Sequence, residues 1–263
     1  MWPVEAPGPK LTCESWYIHE QPRAGAGPTG PIRVVTFNIQ HARVAAHAEG
    51  RRRLLRVDTE ALARHCARLD ADVLAMQEVD VRALRSLWAD QPLAVAQATG
   101  LESVFGQARP VGLGGRYGNA LLARHGLDEV EVLALPRRGR GEPRAVVLAL
   151  ASVGQRRLSV AATHLSIQRI EALAQLDAVL DALAERPEPR VLLGDLNLVP
   201  TDVRPRVEAA GLALADTAEP THPASEPRLR IDHIAVGGLA LTDVAVLPSA
   251  PVSDHRPLRA EVG

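Results

Sequence analysis

Two Asp-His pairs lie near the end of the chain, within Ile231-Asp232-His233-Ile234 and Ser253-Asp254-His255-Arg256-Pro257. Each stands beside a short apolar run, the pattern of a strand whose last side chains project into a cleft. Three more clusters have the same build: Thr36-Phe37-Asn38, Met76-Gln77-Glu78 and Gly194-Asp195-Leu196-Asn197. Carboxylates, amides and imidazoles are the groups that hold a divalent cation, activate water and stabilise developing charge. Their repetition at strand ends predicts one metal-dependent hydrolytic site assembled from the whole length of the chain.

Glu78 follows Leu74-Ala75-Met76-Gln77, and an acid after such a run is costly to bury unpaired. Hard cations such as magnesium take carboxylate and amide oxygens, which makes Glu78 the first-choice ligand with Asn38 nearby. Asn38 alone would read as a strand-end cap. Asp195 and Asn197 occupy alternate positions, which point the same way on an extended segment. One can hold or deprotonate a water while the other orients a phosphate; a turn before Pro200 fits the same letters. Gly194 allows a close or unusual backbone there.

His255 has Asp254 before it and Asp232 in a matching cluster. A carboxylate on one imidazole nitrogen fixes the tautomer and raises the basicity of the other. His164 closes a further strand after Ala161-Ala162-Thr163. No role is predicted for His19, His41, His47, His65 or His125, and at most a substrate contact for His222. Residues Gly112 to Gly118 resemble a phosphate-cradling loop only superficially, since the Lys-Ser/Thr ending is missing. They predict a flexible rim carrying Arg116, Tyr117 and Asn119, with Asn119 at the substrate. Arg137 to Arg144 predicts a solvated hairpin from which Arg144 reaches a phosphate.

The elements that must position these groups follow from periodicity. Strands are predicted from Ile32 to Ile39, Asp72 to Gln77, Ser103 to Gln107, Asn119 to Arg124, Leu127 to Leu135, Ala145 to Ala151, Leu158 to Thr163 and Arg190 to Leu193. Three more follow, from Ile231 to Val236, Leu241 to Leu247 and Leu258 to Val262. Helical spacing marks Arg51 to Leu69, Leu93 to Thr99, Ile167 to Leu183 and Asp202 to Ala210. Strand-rich halves that each carry helices fit two packed sheets with helices outside them. Residues 1–31, rich in Pro and Gly around the apolar island Cys13 to Ile18, read as an arm without regular structure, and 32–263 as the single catalytic domain.

With 263 residues and 46% hydrophobic content the chain can bury a large core, but only 3% is aromatic, so Val, Leu and Ala must fill it. A formal net charge of −1 gives no global attraction to nucleic acid or anionic membrane. Local positive charge for a phosphate then falls to a cation and arginines; Lys10 is the only lysine. Cys13 and Cys66 read as free thiols, without a cysteine metal motif. There is no signal-peptide pattern and no run approaching the roughly 20 apolar residues of a membrane span. The chain therefore reads as soluble and cytoplasmic, with no protein partner predicted.

Taken in order, Thr36-Phe37-Asn38, Gln77-Glu78, Gly118-Asn119-Ala120-Leu121-Leu122, Thr163-His164-Leu165, Gly194-Asp195-Leu196-Asn197, Arg230-Ile231-Asp232-His233-Ile234 and Ser253-Asp254-His255-Arg256-Pro257 resemble the endonuclease/exonuclease/phosphatase superfamily. The resemblance runs from about Ile32 to the C-terminus. It implies a four-layered α/β sandwich of two mostly antiparallel sheets, and magnesium- or manganese-dependent cleavage of a phosphoester. It implies Glu78 as main metal ligand with Asn38 and Asp254 assisting, and Asp195 and Asn197 at the attacking water. It further implies His255, paired with Asp232, as phosphate binder, base or stabiliser, and His164 on the leaving side. Whether Asp195 or His255 is the base stays open.

The exonuclease III branch carries an Ala-Tyr-x-Pro-Asn context where this chain has Thr163-His164-Leu165, so the chain looks more like the deoxyribonuclease I, sphingomyelinase and inositol-phosphatase side. The leading expectation is a phosphodiesterase or phosphatase acting on small or lipid-linked phosphoesters. A deoxyribonuclease I-like endonuclease on nucleic acid and a catalytically inactive binding module are the alternatives.

Overall fold

The computed structural model describes residues 16–19, 30–44 and 56–263. Its strands are β1 (Trp16–His19), β2 (Ile32–Asn38), β3 (Arg43–Val44), β4 (Arg56–Val57), β5 (Val73–Val81), β6 (Glu102–Val111), β7 (Gly115–Ala123) and β8 (Leu127–Ala134). They continue with β9 (Ala145–Val153), β10 (Arg156–His164), β11 (Arg190–Asp195), β12 (Ala213–Leu214), β13 (Asp232–Gly237), β14 (Leu241–Val246) and β15 (Leu258–Val262). The helices are α1 (Thr59–Arg68), α2 (Gln91–Thr99), α3 (Arg169–Ala184) and α4 (Pro200–Ala209). Each predicted strand and helix is present, except that the first helix begins only at Thr59, because Arg56–Val57 pair with Arg43–Val44 as a short strand. Residues 51–55 of the first predicted helix, Lys10, Cys13 and His47 lie outside the described residues; Cys66 is a buried free thiol.

A seven-stranded sheet runs β1-β6-β7-β5-β2-β15-β14 and a six-stranded sheet runs β12-β13-β11-β10-β9-β8. The inward faces of both sheets, with Val34, Val73, Leu121, Val147, Val160, Val191 and Ile234, form one core between them. The outward face of the first packs Val35, Phe37, Leu74 and Met76 beneath α1 and α2. The outward face of the second packs Leu148, Ala161 and Leu192 beneath α3 and α4. The result is the four-layered α/β sandwich. Strands buried on both faces need continuous apolar runs rather than alternation, which is how β2, β5, β10 and β11 read.

Each sheet carries one parallel pair, β2 with β5 and β10 with β11. A parallel pair requires a crossover; α1 lies between β2 and β5 in the chain, and α3 between β10 and β11. Within each pair both C-terminal ends therefore reach the same edge of the sheet. The two edges meet at one end of the sandwich, and the polar clusters arrive there together.

Trp16–His19 departs from the expected unstructured arm. It pairs antiparallel with β6, Tyr17 opposite Phe105, and extends the edge of the seven-stranded sheet. The Tyr17 ring packs on Phe105, with centroids 5.6 Å apart, and its hydroxyl donates to Asp90 Oδ1 at 3.2 Å. Exposed sheet edges favour such addition, and the apolar island supplied the strand. The expected flexible rim also departs: Gly115 to Gly118 lie in β7, and a Cβ on Gly118 would come 1.9 Å from Gly106 O.

Candidate active site

Asn38 ends β2, and its Nδ2 donates to Asp195 Oδ2 at 2.9 Å and to Glu78 Oε1 at 3.3 Å. One amide thus joins the two sheets through their acids. Its Oδ1 accepts the Gln40 N–H at 3.0 Å. Asn38, expected as a metal ligand, meets the carboxylates through its amide nitrogen and orients them, while its oxygen, with one lone pair on the Gln40 N–H, keeps a second.

Glu78 owes its direction to a bulge. The β5–β7 register shifts between Met76 and Val79, and Glu78 takes φ +56°. A bulge inserts a residue and re-aims its side chain. Burial pushes the Glu78 carboxyl up, opposed by the Asn38 hydrogen bond and the His255 charge. Its nearest imidazole, His41 Nδ1 at 3.6 Å, cannot serve as a counter-ion: burial and then the Arg85 charge push His41 down to about 4.

Asp195 ends β11, where a Cβ on Gly194 would come 2.4 Å from Thr163 O, so the neighbouring strands fit only around glycine. Asp195 Oδ1 accepts the Asn197 N–H at 3.0 Å. Asn197 has φ +50° and arrives by a turn rather than by the expected extended segment. Asp and Asn form such turns through their side chains. Asn197 Nδ2 donates to Leu165 O at 3.0 Å and lies 3.1 Å from His164 Nε2.

Burial, then the neighbouring Asp232 charge, pushes the Asp195 carboxyl up to about 6. Asp232 Oδ2 pairs with His255 Nδ1 at 2.9 Å, while His255 Nε2 faces Asp195 Oδ2 at 3.7 Å. Burial would push the His255 ring down, but the charges of Asp232 and Asp195 outweigh it and raise the ring to about 10. His255 is thus an imidazolium between two acids at neutral pH. Ser253 positions it, donating to Asn38 O at 2.6 Å and accepting the His255 N–H at 3.0 Å.

His164 is the opposite case. Arg144 Nη1 donates to its Nδ1 at 2.9 Å, so the ring proton sits on Nε2, 3.4 Å from Asp195 Oδ2. Burial, then the Arg144 charge, holds His164 well below the usual range and therefore neutral. Arg144 is not on a solvated hairpin. It is buried between His164 and Glu142, whose Oε2 is 3.0 Å from Nη2, and its buried Nε finds no hydrogen-bond partner among the described residues. Asn119 is buried too, and its Nδ2 donates to Ala145 O at 2.8 Å, joining β7 to β9 across the sheets.

Two residues without an expected role join the site: Gln40, whose Nε2 donates to Asp254 Oδ2 at 2.8 Å, and His41 beside Glu78. Their only signal was two polar residues directly after a strand-end Asn and the Ile that follows it. His222 was given at most a substrate contact; its ring lies 4.6 Å from that of His255 and its Nε2 3.7 Å from Asp254 Oδ2.

Glu78, Asp195, Asp232 and Asp254 outnumber the one imidazolium among them, and Asp232 Oδ1 is buried with no hydrogen-bond partner among the described residues. Ligand atoms of Asp195, Asp232 and His255, and of His222, Asp254 and His255, lie within 4.8 Å of one another. Excess negative charge and hard oxygen donors fit a divalent cation.

Residues 35–255 match the endonuclease/exonuclease/phosphatase family, and the chain belongs to it. Members of this family are generally hydrolases of phosphoesters, and the family depends on divalent metals. Among solved structures, an endonuclease/exonuclease/phosphatase from Beutenbergia cavernae is 26% identical, with a TM-score of 0.68 over 89% of this chain and 71% of that one. A mannosyl-6-phosphatase of Bacteroides thetaiotaomicron is 17% identical, with a TM-score of 0.68 over 88% and 99%. Truncated TDP2 of Caenorhabditis elegans is 20% identical, with a TM-score of 0.61 over 88% and 97%. The latter two share the fold. None of the curated proteins compared with the chain matches it.

Proposed function

We propose that the protein is a divalent-metal-dependent hydrolase of phosphoesters borne on small or lipid-linked molecules. One observation carries this: Asp195, the Asp232–His255 pair, Asn38 and Glu78 meet where the parallel pairs of both sheets end. A cation, magnesium or manganese, would be held by Glu78 with Asp254 and would neutralise phosphoryl charge and acidify water.

The protonation states favour Asp195 as the base. Its carboxylate, oriented by the Asn38 amide and the Asn197 N–H, takes a proton from water as the water oxygen bonds to phosphorus and the leaving oxygen departs. His255 already holds its proton against Asp232 and Asp195, so it binds phosphoryl oxygen as a cation. Neutral His164 offers its Nε2 hydrogen to an oxyanion but is a poor proton donor. The unpartnered Arg144 Nε–H is assigned to the phosphate, whereas Asn119 is assigned to joining the sheets.

Hydrolysis of bis-p-nitrophenyl phosphate and p-nitrophenyl phosphate, each with magnesium, manganese or EDTA, tests the reading. Metal-dependent release should fall about 10²–10⁴-fold in Asp195→Ala, the usual weight of a general base. Release that survives EDTA or that substitution would refute the mechanism. Preference for the diester separates a phosphodiesterase, or the nuclease alternative, from a phosphatase.

A further inference from the structure

The exposed large hydrophobic residues are unevenly placed. Leu84, Leu87 and Trp88 follow β5, the strand of Glu78, and Leu113 tips the β6–β7 hairpin. Ile167 and Ile170 follow His164, Val199 follows Asn197, and Leu229 lies in the turn between His222 and Asp232. Every such residue among the described ones lies at the end of the sandwich that holds the site; the opposite end has none. Scattered exposed apolar residues are ordinary, whereas a concentration around a cleft marks an interaction surface.

Contacts link these segments into a rim. A Cβ on Gly115 would come 2.7 Å from Ala83 Cα, which sets the hairpin against the segment after β5. Arg109 Nε lies 2.8 Å from Glu142 Oε1, and the Arg138 N–H donates to Glu171 Oε2 at 3.1 Å. The basic loop therefore sits between the hairpin and α3. Arg169 and Asp202 pair at 2.6 Å, which sets Ile170 beside the start of α4. Arg137, Arg138 and Arg140 are exposed on this loop, and their guanidinium groups form no ion pair with another of the described residues. The nearby acids are occupied, Glu142 by Arg109 and Arg144, and Glu171 by the Arg138 N–H and Gln175.

We propose that this rim seats the cleft on an anionic lipid bilayer, so that the phosphoester cleaved belongs to a lipid headgroup. Apolar side chains enter the interface while the exposed arginines meet anionic headgroups, and each contributes to partitioning. A track for nucleic acid would need arginines and stacking aromatics around the cleft, where this rim offers mainly aliphatic side chains. The proposal rests on the hydrolase reading only for the identity of the phosphoester.

Cosedimentation in EDTA tests it without turnover, so its outcome is independent of whether the hydrolase reading holds. The probes are vesicles of phosphatidylcholine with phosphatidylserine, vesicles of phosphatidylcholine alone, and a duplex oligonucleotide. The wild-type protein should pellet with the anionic vesicles and much less with the neutral ones. Leu87→Asp with Leu113→Asp, and separately Arg137→Gln with Arg138→Gln and Arg140→Gln, should each lower partitioning by about tenfold or more, with circular dichroism unchanged. Wild-type protein left in the supernatant with both vesicles, undiminished partitioning in both variants, or binding to the oligonucleotide alone would overturn the proposal.

Discussion

His255 keeps its proton because two carboxylates outweigh the cost of burying the charge. The ring is raised from its ordinary 6.5 to about 10, so the folded state binds the proton more tightly than the unfolded chain does. That stabilisation is complete below about pH 6.5 and is lost as pH rises towards about 10. In EDTA, the melting temperature should therefore decline over this window. In Asp232→Asn the decline should flatten, and NMR should show the ring titrating lower. A wild-type ring titrating near its ordinary value would refute this assignment. His164 is in the opposite state because burial, and then a neighbouring guanidinium in place of carboxylates, push its ring down.

At the scale of elements, the parallel pair β10–β11 brings His164 opposite Asp195, and Gly194 sets how closely the strands approach. With Thr163 O only 2.4 Å from the position of an added Cβ, Gly194→Ala must push the strands apart. Overpacking of this kind costs about 1–3 kcal/mol. Denaturant unfolding should show a loss of that size, and turnover should fall with it as His164 and Asp195 separate. Stability equal to wild type would mean the strands yield without strain. The bulge at Glu78 acts similarly on β5, turning one side chain while the ladder continues on either side.

Across the whole molecule, the site depends on the two sheets staying in register face to face. The core between them is aliphatic and nondirectional, so polar bridges such as Asn119 Nδ2 to Ala145 O supply the alignment. Asn119→Ala should cost about 1–2 kcal/mol in denaturant unfolding, since Thr163 Oγ1 still donates to Ala145 O. KM for the p-nitrophenyl esters should be unchanged. A raised KM at unaltered stability would instead place Asn119 at the substrate. The concentration of exposed apolar residues at one end is likewise a property of the whole fold, because it appears only when loops distant in sequence share a rim.

Local sequence determined much of this. Apolar runs marked the doubly buried strands, helical spacing marked the crossovers, and polar residues at strand ends marked the site, since burial and periodicity act within a few residues. The protonation states were decided only by tertiary structure. Nothing near His164 in sequence announces Arg144, and nothing near His255 fixes whether Asp232 or Asp254 takes its Nδ1. The direction of the Asn38 amide, the fates of Asn119 and Arg144, and the strand at Trp16–His19 also depended on partners far along the chain. Charges and hydrogen bonds act over a few ångströms, and only the fold determines which residues come that close.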